Sequence, residues 1–460
     1  MTTARRAAAQ AARRSSERGT AREAAVLILS RVDHGDAYAN LLLSSVLGRA
    51  QLSEADAGLA TELVLGTLRQ RARVDWTLAG ALRRPLDDLP PRIRAVLRTG
   101  AYQLLFLARI PPHAAVDEAV SLARTVGHAG TAKLTNAVLR RIASEGERPL
   151  PAGSPTERIA VEHSHPQWLI DRWLRRFGDV ETEALCRANN SPSRPTVRVN
   201  TLKLHPDEAV RRFDDLGITV TRTAIAEGLH LAGPVSDRHR VVTEGLCTMQ
   251  DLAAMLVTHI LDPQPGEMVI DGAAAPGGKT THIAERMRDR GRIIACDIHA
   301  AKLERLRHRV ARMGISIVEA HEQDARGIGR TFPRQADRVL LDAPCTGLGV
   351  LRRRPDIKWR VLPEDINALA VLQQQMVQGA CDAVRPGGML VYSVCTTEEE
   401  EGQKVVEEFL REHEEFRLEM PDLPDAFRSA VAASGAALLL PHRHGTDGFF
   451  IARMRRRADN

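Results

Sequence analysis

From about Val257 onward, short apolar runs alternate with amphipathic stretches, and that alternation leaves few folds open. The pattern predicts strands at Met268–Asp271, Ile293–Asp297, Ile315–Val318, Arg338–Asp342, Met389–Val394 and Phe449–Met454. Helical stretches such as Lys302–Met313 and Ala368–Val384 separate them. Strands and helices taking turns in this way predict an α/β, doubly wound, Rossmann-like sheet, whose ligands sit beyond the carboxyl ends of its strands.

A chain of 460 residues is too long for one core. Upstream of the sheet, helical spacing dominates from Ala21 to Ser144, with Leu97, Ala101, Leu104 and Leu105 on one face and Leu134, Val138 and Leu139 on another. The Pro- and Gly-rich stretch from Gly146 to Pro155 reads as a linker. A smaller mixed segment follows, with a helix carrying Trp168, Leu169, Trp173 and Leu174 and a strand-like run from Thr196 to Asn200. The expected organisation is therefore multidomain: a disordered basic arm (1–20), an all-α bundle (21–145), a small α+β intermediate subdomain (156–250) and the α/β domain (251–458).

Composition narrows the setting. The six cysteines include no C-x-x-C pair, which argues against a zinc site or a disulfide framework and for a reducing compartment. No metal is expected. No apolar run approaches spanning length, and the Arg-rich start lacks a signal-peptide core, so a cytoplasmic protein with no membrane partner is expected. A net charge of +6 permits a polyanionic partner without requiring one. The basic residues are almost all arginine, which GC-rich coding explains better than phosphate binding does.

The run from Val269 to Thr280 reads as a strand, a Gly-rich turn and a helix start. Its small residues (Ala273, Ala274, Ala275, Pro276, Gly277, Gly278) let a ligand approach the backbone, and Lys279 opens the helix. A P-loop fails on spacing, because the position that needs its first glycine holds Ala273. Asp297 ends the second strand, where a carboxylate binds ribose hydroxyls. Alone, such a turn fits a dinucleotide site or a purely structural loop equally well. Asp324 after the third strand and the motifs downstream favour a methyl-donor site.

Strand four ends in Leu341-Asp342-Ala343-Pro344-Cys345 and strand five in Ser393-Val394-Cys395-Thr396. Both cysteines and Asp342 would lie at the ligand edge, whereas Cys186, Cys247, Cys296 and Cys381 read as buried apolar residues. Carbon 5 of cytosine is a poor nucleophile. A thiolate adding to carbon 6 makes it enamine-like, and an acid near ring N3 stabilises the charge that develops. Amine methylation needs no such step, so two strand-end cysteines point to carbon methylation.

The segments AAAPGGKTTHIAE (273–285), LDAPCTGLGVLRRRPDIKW (341–359), LVYSVCTTEEEEG (390–402) and DGFFIARM (447–454) resemble the bacterial 16S rRNA cytosine-5 methyltransferases of the RsmB (Sun/Fmu) type, within the Nop/Sun family. LATELVLGTLR (59–69), the stretch 98–124 and TNAVLR (135–140) resemble the helical RNA-binding domain of the antitermination factor NusB. HSHPQWLIDRW (163–173) and RVNTLK (198–203) are similar to the family's intermediate subdomain.

The resemblance implies S-adenosyl-L-methionine as cofactor and RNA, 16S rRNA above all, as partner. It implies that Cys395 is the nucleophile and that Cys345 assists product release. Asp342 would contact the cytosine and close the cofactor pocket. Ala273 through Lys279, Asp297 (ribose) and Asp324 (adenine) would hold the cofactor. A monomer is expected. The chain departs from the family pattern at Val394 and Thr396, where Thr and Ser are usual, and at Gly402, where Asn is usual. Gly272 and Ala273 stand where a bulkier residue and a cysteine are common. The alternatives are a tRNA or 23S rRNA cytosine-5 methyltransferase, a non-catalytic RNA-binding or ribosome assembly factor, and a DNA or small-molecule methyltransferase.

Overall fold

A computed structural model describes residues 19–35, 38–50, 52–233 and 239–459. The expected basic arm lies almost wholly outside the described residues. Packing divides the chain into two compact units, the first running to Ser191 and including Leu351–Arg360, the second holding Pro192–Val350 and Val361–Asn460.

The first unit is all helical: Ala21–Asp33, Ala39–Arg49, Glu54–Arg69, Arg71–Ala81, Pro91–Phe106, Pro112–Val126, Ala129–Glu145, Pro155–Glu162 and Gln167–Asn190. Several helix starts are written locally. Thr20 and Ser53 accept the N–H three residues on, and Pro91, Pro112 and Pro155 fill first-turn positions where no N–H is required. Val26, Ile28, Leu63, Val96, Leu97, Ala101 and Leu139 form one core. Gly66 is obligatory there, since a Cβ would lie 2.1 Å from the Tyr102 hydroxyl.

The last two helices group with this bundle, beyond its expected end at 145. The bonds Ala72 N–H to Ser164 Oγ (2.9 Å) and Trp76 Nε1–H to the Pro149 carbonyl (2.8 Å) fasten the intervening chain. Leu351–Arg360 also packs here. Trp359 Nε1–H donates to the Leu68 carbonyl at 2.7 Å, and Lys358 Nζ donates to the Arg69 carbonyl at 3.1 Å and Asn190 Oδ1 at 3.0 Å.

The second unit holds two sheets. The smaller is antiparallel in the order β2-β3-β1-β4, from β1 (Thr196–Val199), β2 (Val220–Arg222), β3 (Gly228–Leu231) and β4 (Cys247–Met249). The larger has eight strands: β5 (Met268–Asp271), β6 (Arg292–Asp297), β7 (Val318–Glu322), β8 (Ala336–Asp342), β9 (Val384–Val394), β10 (Phe416–Leu418), β11 (Ala437–Leu439) and β12 (Phe449–Arg456). Their order is β10-β12-β9-β8-β5-β6-β7, with β11 on β12. β5 to β9 pair in parallel, and β12 runs antiparallel to β9. Ile270, Ile294, Val339, Leu340 and Leu341 are fully buried, as a sheet covered on both faces requires.

Two expected elements shift. The third strand begins at Val318, because Ile315 closes the preceding helix instead, its N–H bonded to the Val310 carbonyl at 3.1 Å. The helix expected at Ala368–Val384 spans Pro363–Cys381, and Val384 already belongs to β9. From β5 the chain winds outward through β6 and β7, then returns to lay β8 on the other side of β5. That reversal opens a crevice at the carboxyl ends of β5 and β8, the switch point of a doubly wound sheet.

Candidate active site

The turn after β5 leads into the helix Gly278–Arg286 through Gly277, whose φ of 95° suits only glycine. No side chain caps this helix, so its first-turn N–H groups remain available to a ligand. Behind the turn, Thr280 Oγ1–H donates to Asp271 at 2.7 Å. Burial, with Asp342 nearby, pushes the Asp271 carboxyl up to about 7.

Lys279 reaches from this helix to Asp342 at the end of β8, Nζ to Oδ2 2.7 Å, and Ser393 Oγ–H donates to Asp342 Oδ1 at 2.8 Å from β9. One carboxylate thus ties two strand ends to the helix behind the Gly-rich turn. Burial alone would lower the Lys279 ammonium. Asp342, with Cys395 and Asp271, instead carries it above the ordinary lysine value.

The two strand-end cysteines meet. Cys345 Sγ and Cys395 Sγ are 3.2 Å apart, and neither residue is fully buried. The hydrogen bond with Cys395, burial, and the charges of Cys395 and Glu401 hold the Cys345 thiol well above the usual range. The backbone closes tightly around them. Gly349 N–H donates to the Cys395 carbonyl (3.1 Å), and Gly448 N–H donates to the Gly349 carbonyl (2.8 Å). A Cβ on Gly349 would come within 2.0 Å of the Gly448 oxygen. Cys186, Cys247, Cys296 and Cys381 are buried, and burial pushes each thiol up to about 12, leaving them inert.

Asp297 ends β6, with Oδ1 accepting from His299 N–H at 2.9 Å. Asp324 caps a short turn after β7 and pairs with Arg326 at 2.7 Å, its side chain 39% exposed. Three residues not singled out from the sequence support the site. Ser393 and Glu401 bond directly to the strand-end loops. Arg198 of β1, fully buried, donates to Glu285 (2.9 and 2.8 Å), Thr281 Oγ1 (2.9 Å) and the Gly278 carbonyl (2.8 Å). It fastens the small sheet to the helix that follows the Gly-rich turn.

Among the described residues, Glu227, His259 and His282 lie close enough to hold a metal ion. The geometry fits a hydrogen-bonded triad better. Glu227 Oε1 is 2.7 Å from Nε2 of each histidine, and Arg286 Nη1 faces His259 Nδ1 at 3.2 Å, so the His259 proton stays on Nε2.

Residues 258–455 match the family model of the 16S rRNA methyltransferase RsmB/F, residues 19–144 match the NusB family, and residues 165–237 match the RsmF/B-like ferredoxin-like domain. The chain is 38% identical to a probable ribosomal RNA small subunit methyltransferase B of Bacillus subtilis, over 95% of this chain and 98% of that one. It is 36% identical to the ribosomal RNA small subunit methyltransferase B of Thermus thermophilus, over 95% and 98%. Among solved structures, PH0851 superposes with a TM-score of 0.82 at 30% identity, covering 95% of this chain and 99% of that one. NSun6 from Pyrococcus horikoshii with SFG gives 0.59 at 25% identity, covering 64% and 99%.

Proposed function

The chain belongs to the 16S rRNA methyltransferase RsmB/F family, and we propose that it methylates carbon 5 of a cytosine in 16S rRNA, using S-adenosyl-L-methionine and a covalent bond from Cys395 to carbon 6. It is an RNA methyltransferase with a NusB-like helical domain. The proposal adds the cofactor, the atom methylated, the 16S target and the nucleophile.

The observation that carries this reading is the pair of thiols, 3.2 Å apart beside Asp342 at the carboxyl edge of β8 and β9. The residues at the Gly-rich turn also fit the cofactor. The uncapped helix offers N–H donors, and Asp297 keeps a carboxylate oxygen without a partner among the described residues. Ala273, Ala274, Ala275, Pro276, Gly277, Gly278 and Lys279 would line the methionine side, Asp297 would take the ribose hydroxyls, and Asp324 would lie near the adenine. When bound, the cofactor supplies an electrophilic methyl group on a sulfonium.

The chain's own residues do the rest. Cys395, as thiolate, adds to carbon 6, and the ring electrons shift so that carbon 5 becomes nucleophilic. Asp342, fixed by Lys279 and Ser393, faces ring N3, where a proton delivered through the Lys279–Asp342 pair neutralises the negative charge that arrives, leaving an N3–H whose hydrogen bond the carboxylate accepts. Once carbon 5 is methylated, a base removes its proton and the Cys395–carbon 6 bond breaks, with Cys345 assisting release. The target is held from solution in the cytoplasm by a monomeric protein. No helix among the described residues is long and apolar enough to cross a membrane.

Methyl incorporation from labelled cofactor into deproteinised small-subunit rRNA, tRNA and large-subunit rRNA, mapped by bisulfite sequencing, tests the reading. One protected cytosine in small-subunit rRNA is expected. Labelling confined to tRNA or large-subunit rRNA would discard the 16S target, and labelling of no RNA would discard the activity.

A further inference from the structure

The loops that carry the two cysteines are fastened by a carboxylate with no part in the covalent scheme. Glu401 is fully buried. Its Oε1 accepts the Thr346 N–H at 2.8 Å and Gln373 Nε2–H at 3.2 Å, and its Oε2 accepts the Thr346 hydroxyl. Thr346 directly follows Cys345, and its Oγ1 lies 3.2 Å from Oγ1 of Thr396, which directly follows Cys395. The Tyr392 hydroxyl donates to the Glu401 carbonyl, so main chain and side chain are both anchored.

A buried carboxylate is costly unless its lone pairs are filled, and here they are. Burial pushes the Glu401 carboxyl up, and the hydrogen bonds from Thr346, Thr396 and Gln373 oppose that and favour the charged form. The Glu401 carboxylate is bonded to Thr346, the residue beside Cys345, and its charge helps hold that thiol up, while the Lys279 ammonium is bonded to Asp342 at the other side of the loop. The Tyr392 phenol, held neutral by burial and by the charges of Cys345, Glu401 and Asp342, also borders the site.

We propose that Glu401 is a positioning residue, whose carboxylate sets the spacing of the two cysteine loops and keeps the remaining proton of the thiol pair on Cys345, leaving the negative charge on Cys395. This deepens the covalent reading and rests on it. Ionising the pair releases one proton to solvent and leaves one behind. A negative charge beside Cys345 makes that thiol the weaker acid, so Cys395 becomes the nucleophile. The same bonds hold the two sulfurs in contact while RNA enters.

The test uses the full chain and its Glu401→Gln variant. Iodoacetamide alkylation of each cysteine is followed against pH by peptide mass spectrometry, alongside kcat and KM for cofactor and RNA. In the wild type Cys395 reacts first. In Glu401→Gln that preference narrows about tenfold, and half-alkylation of Cys345 moves down by about one pH unit. kcat falls about tenfold or more, with KM nearly unchanged. A folded Glu401→Gln with wild-type preference and kcat overturns the proposal. If that variant does not fold, Thr346→Val and Thr346→Ser decide. The serine keeps the wild-type preference and the valine loses it, and identical behaviour of the two overturns the proposal. Turnover by Cys395→Ala would instead overturn the covalent reading itself.

Discussion

Cys345 Sγ lies 3.2 Å from Cys395 Sγ, although the two residues end different strands and are fifty positions apart in sequence. The parallel register of β8 on β9, Asp342 opposite Ser393, brings them together. Proximity alone leaves open which thiol attacks, and substitution separates the roles. Cys395→Ala is expected to abolish methyl transfer while binding cofactor almost as the wild type does, as read by calorimetric titration. Cys345→Ala retains the nucleophile and is expected to accumulate a covalent RNA adduct, visible as a slow band on a denaturing gel. Wild-type turnover without that band would remove the release role from Cys345.

Asp342 accepts from Lys279 and Ser393 at once, so its carboxylate is held in one orientation. Asp342→Asn keeps the shape, loses the charge and leaves the Lys279 ammonium buried without its partner. The single-turnover methyl-transfer rate is expected to fall by about 100-fold or more, the size of a positioned acid–base or electrostatic contribution. A loss below about threefold would mean that another group stabilises the cytosine ring.

Much of this site was legible in the sequence because it depends on strand ends. Apolar runs fixed where β8 and β9 stop, and the polar residues just beyond them became candidates. Edge strands hide better: β7 reads Val-Glu-Ala-His-Glu, pairs among the described residues only with β6 and carries no apolar run, so the apolar Ile315 drew the expected strand too early. Arg198 and Glu401 fall in segments that resemble the family, yet their roles were out of reach for a different reason. Each is a buried charge whose partners lie far away in sequence or across a turn, and nothing local distinguishes them from solvated residues. Lys358 falls in a motif that the family resemblance ties to the catalytic loop, yet it packs inside the helical unit.

Lys358 makes the stability of the helical unit depend on pH. Burial pushes its ammonium down to about 7, whereas an unfolded lysine titrates near about 10.4. Between those values the unfolded chain holds a proton that the folded chain has released, so this group makes stability rise with pH from about 7 to about 10. Lys358→Met removes the effect along with two hydrogen bonds. In thermal unfolding the variant is expected to fare best relative to wild type at about pH 7, and progressively worse toward about pH 10. A melting-temperature difference constant over that window would show that Lys358 stays charged in the fold.

Arg198 joins the small sheet to the helix behind the Gly-rich turn through Glu285, Thr281 and the Gly278 carbonyl. Burial, partly offset by Arg198, raises the Glu285 carboxyl to about 7, so removing the arginine strands a buried acid. Arg198→Ala is expected to cost about 3–5 kcal/mol in denaturant unfolding, the usual penalty for breaking a buried pair from one side. Cofactor affinity should fall with it, because the first turn of the Gly278–Arg286 helix loses its brace. Replacing both partners, Arg198→Met with Glu285→Met, removes the stranded charge and should recover most of the stability. It should not recover the affinity, since the Gly278 carbonyl and the Thr281 hydroxyl still lack their donor. Recovery of both together would mean that Arg198 serves the fold alone and leaves the shape of the cofactor turn to other contacts.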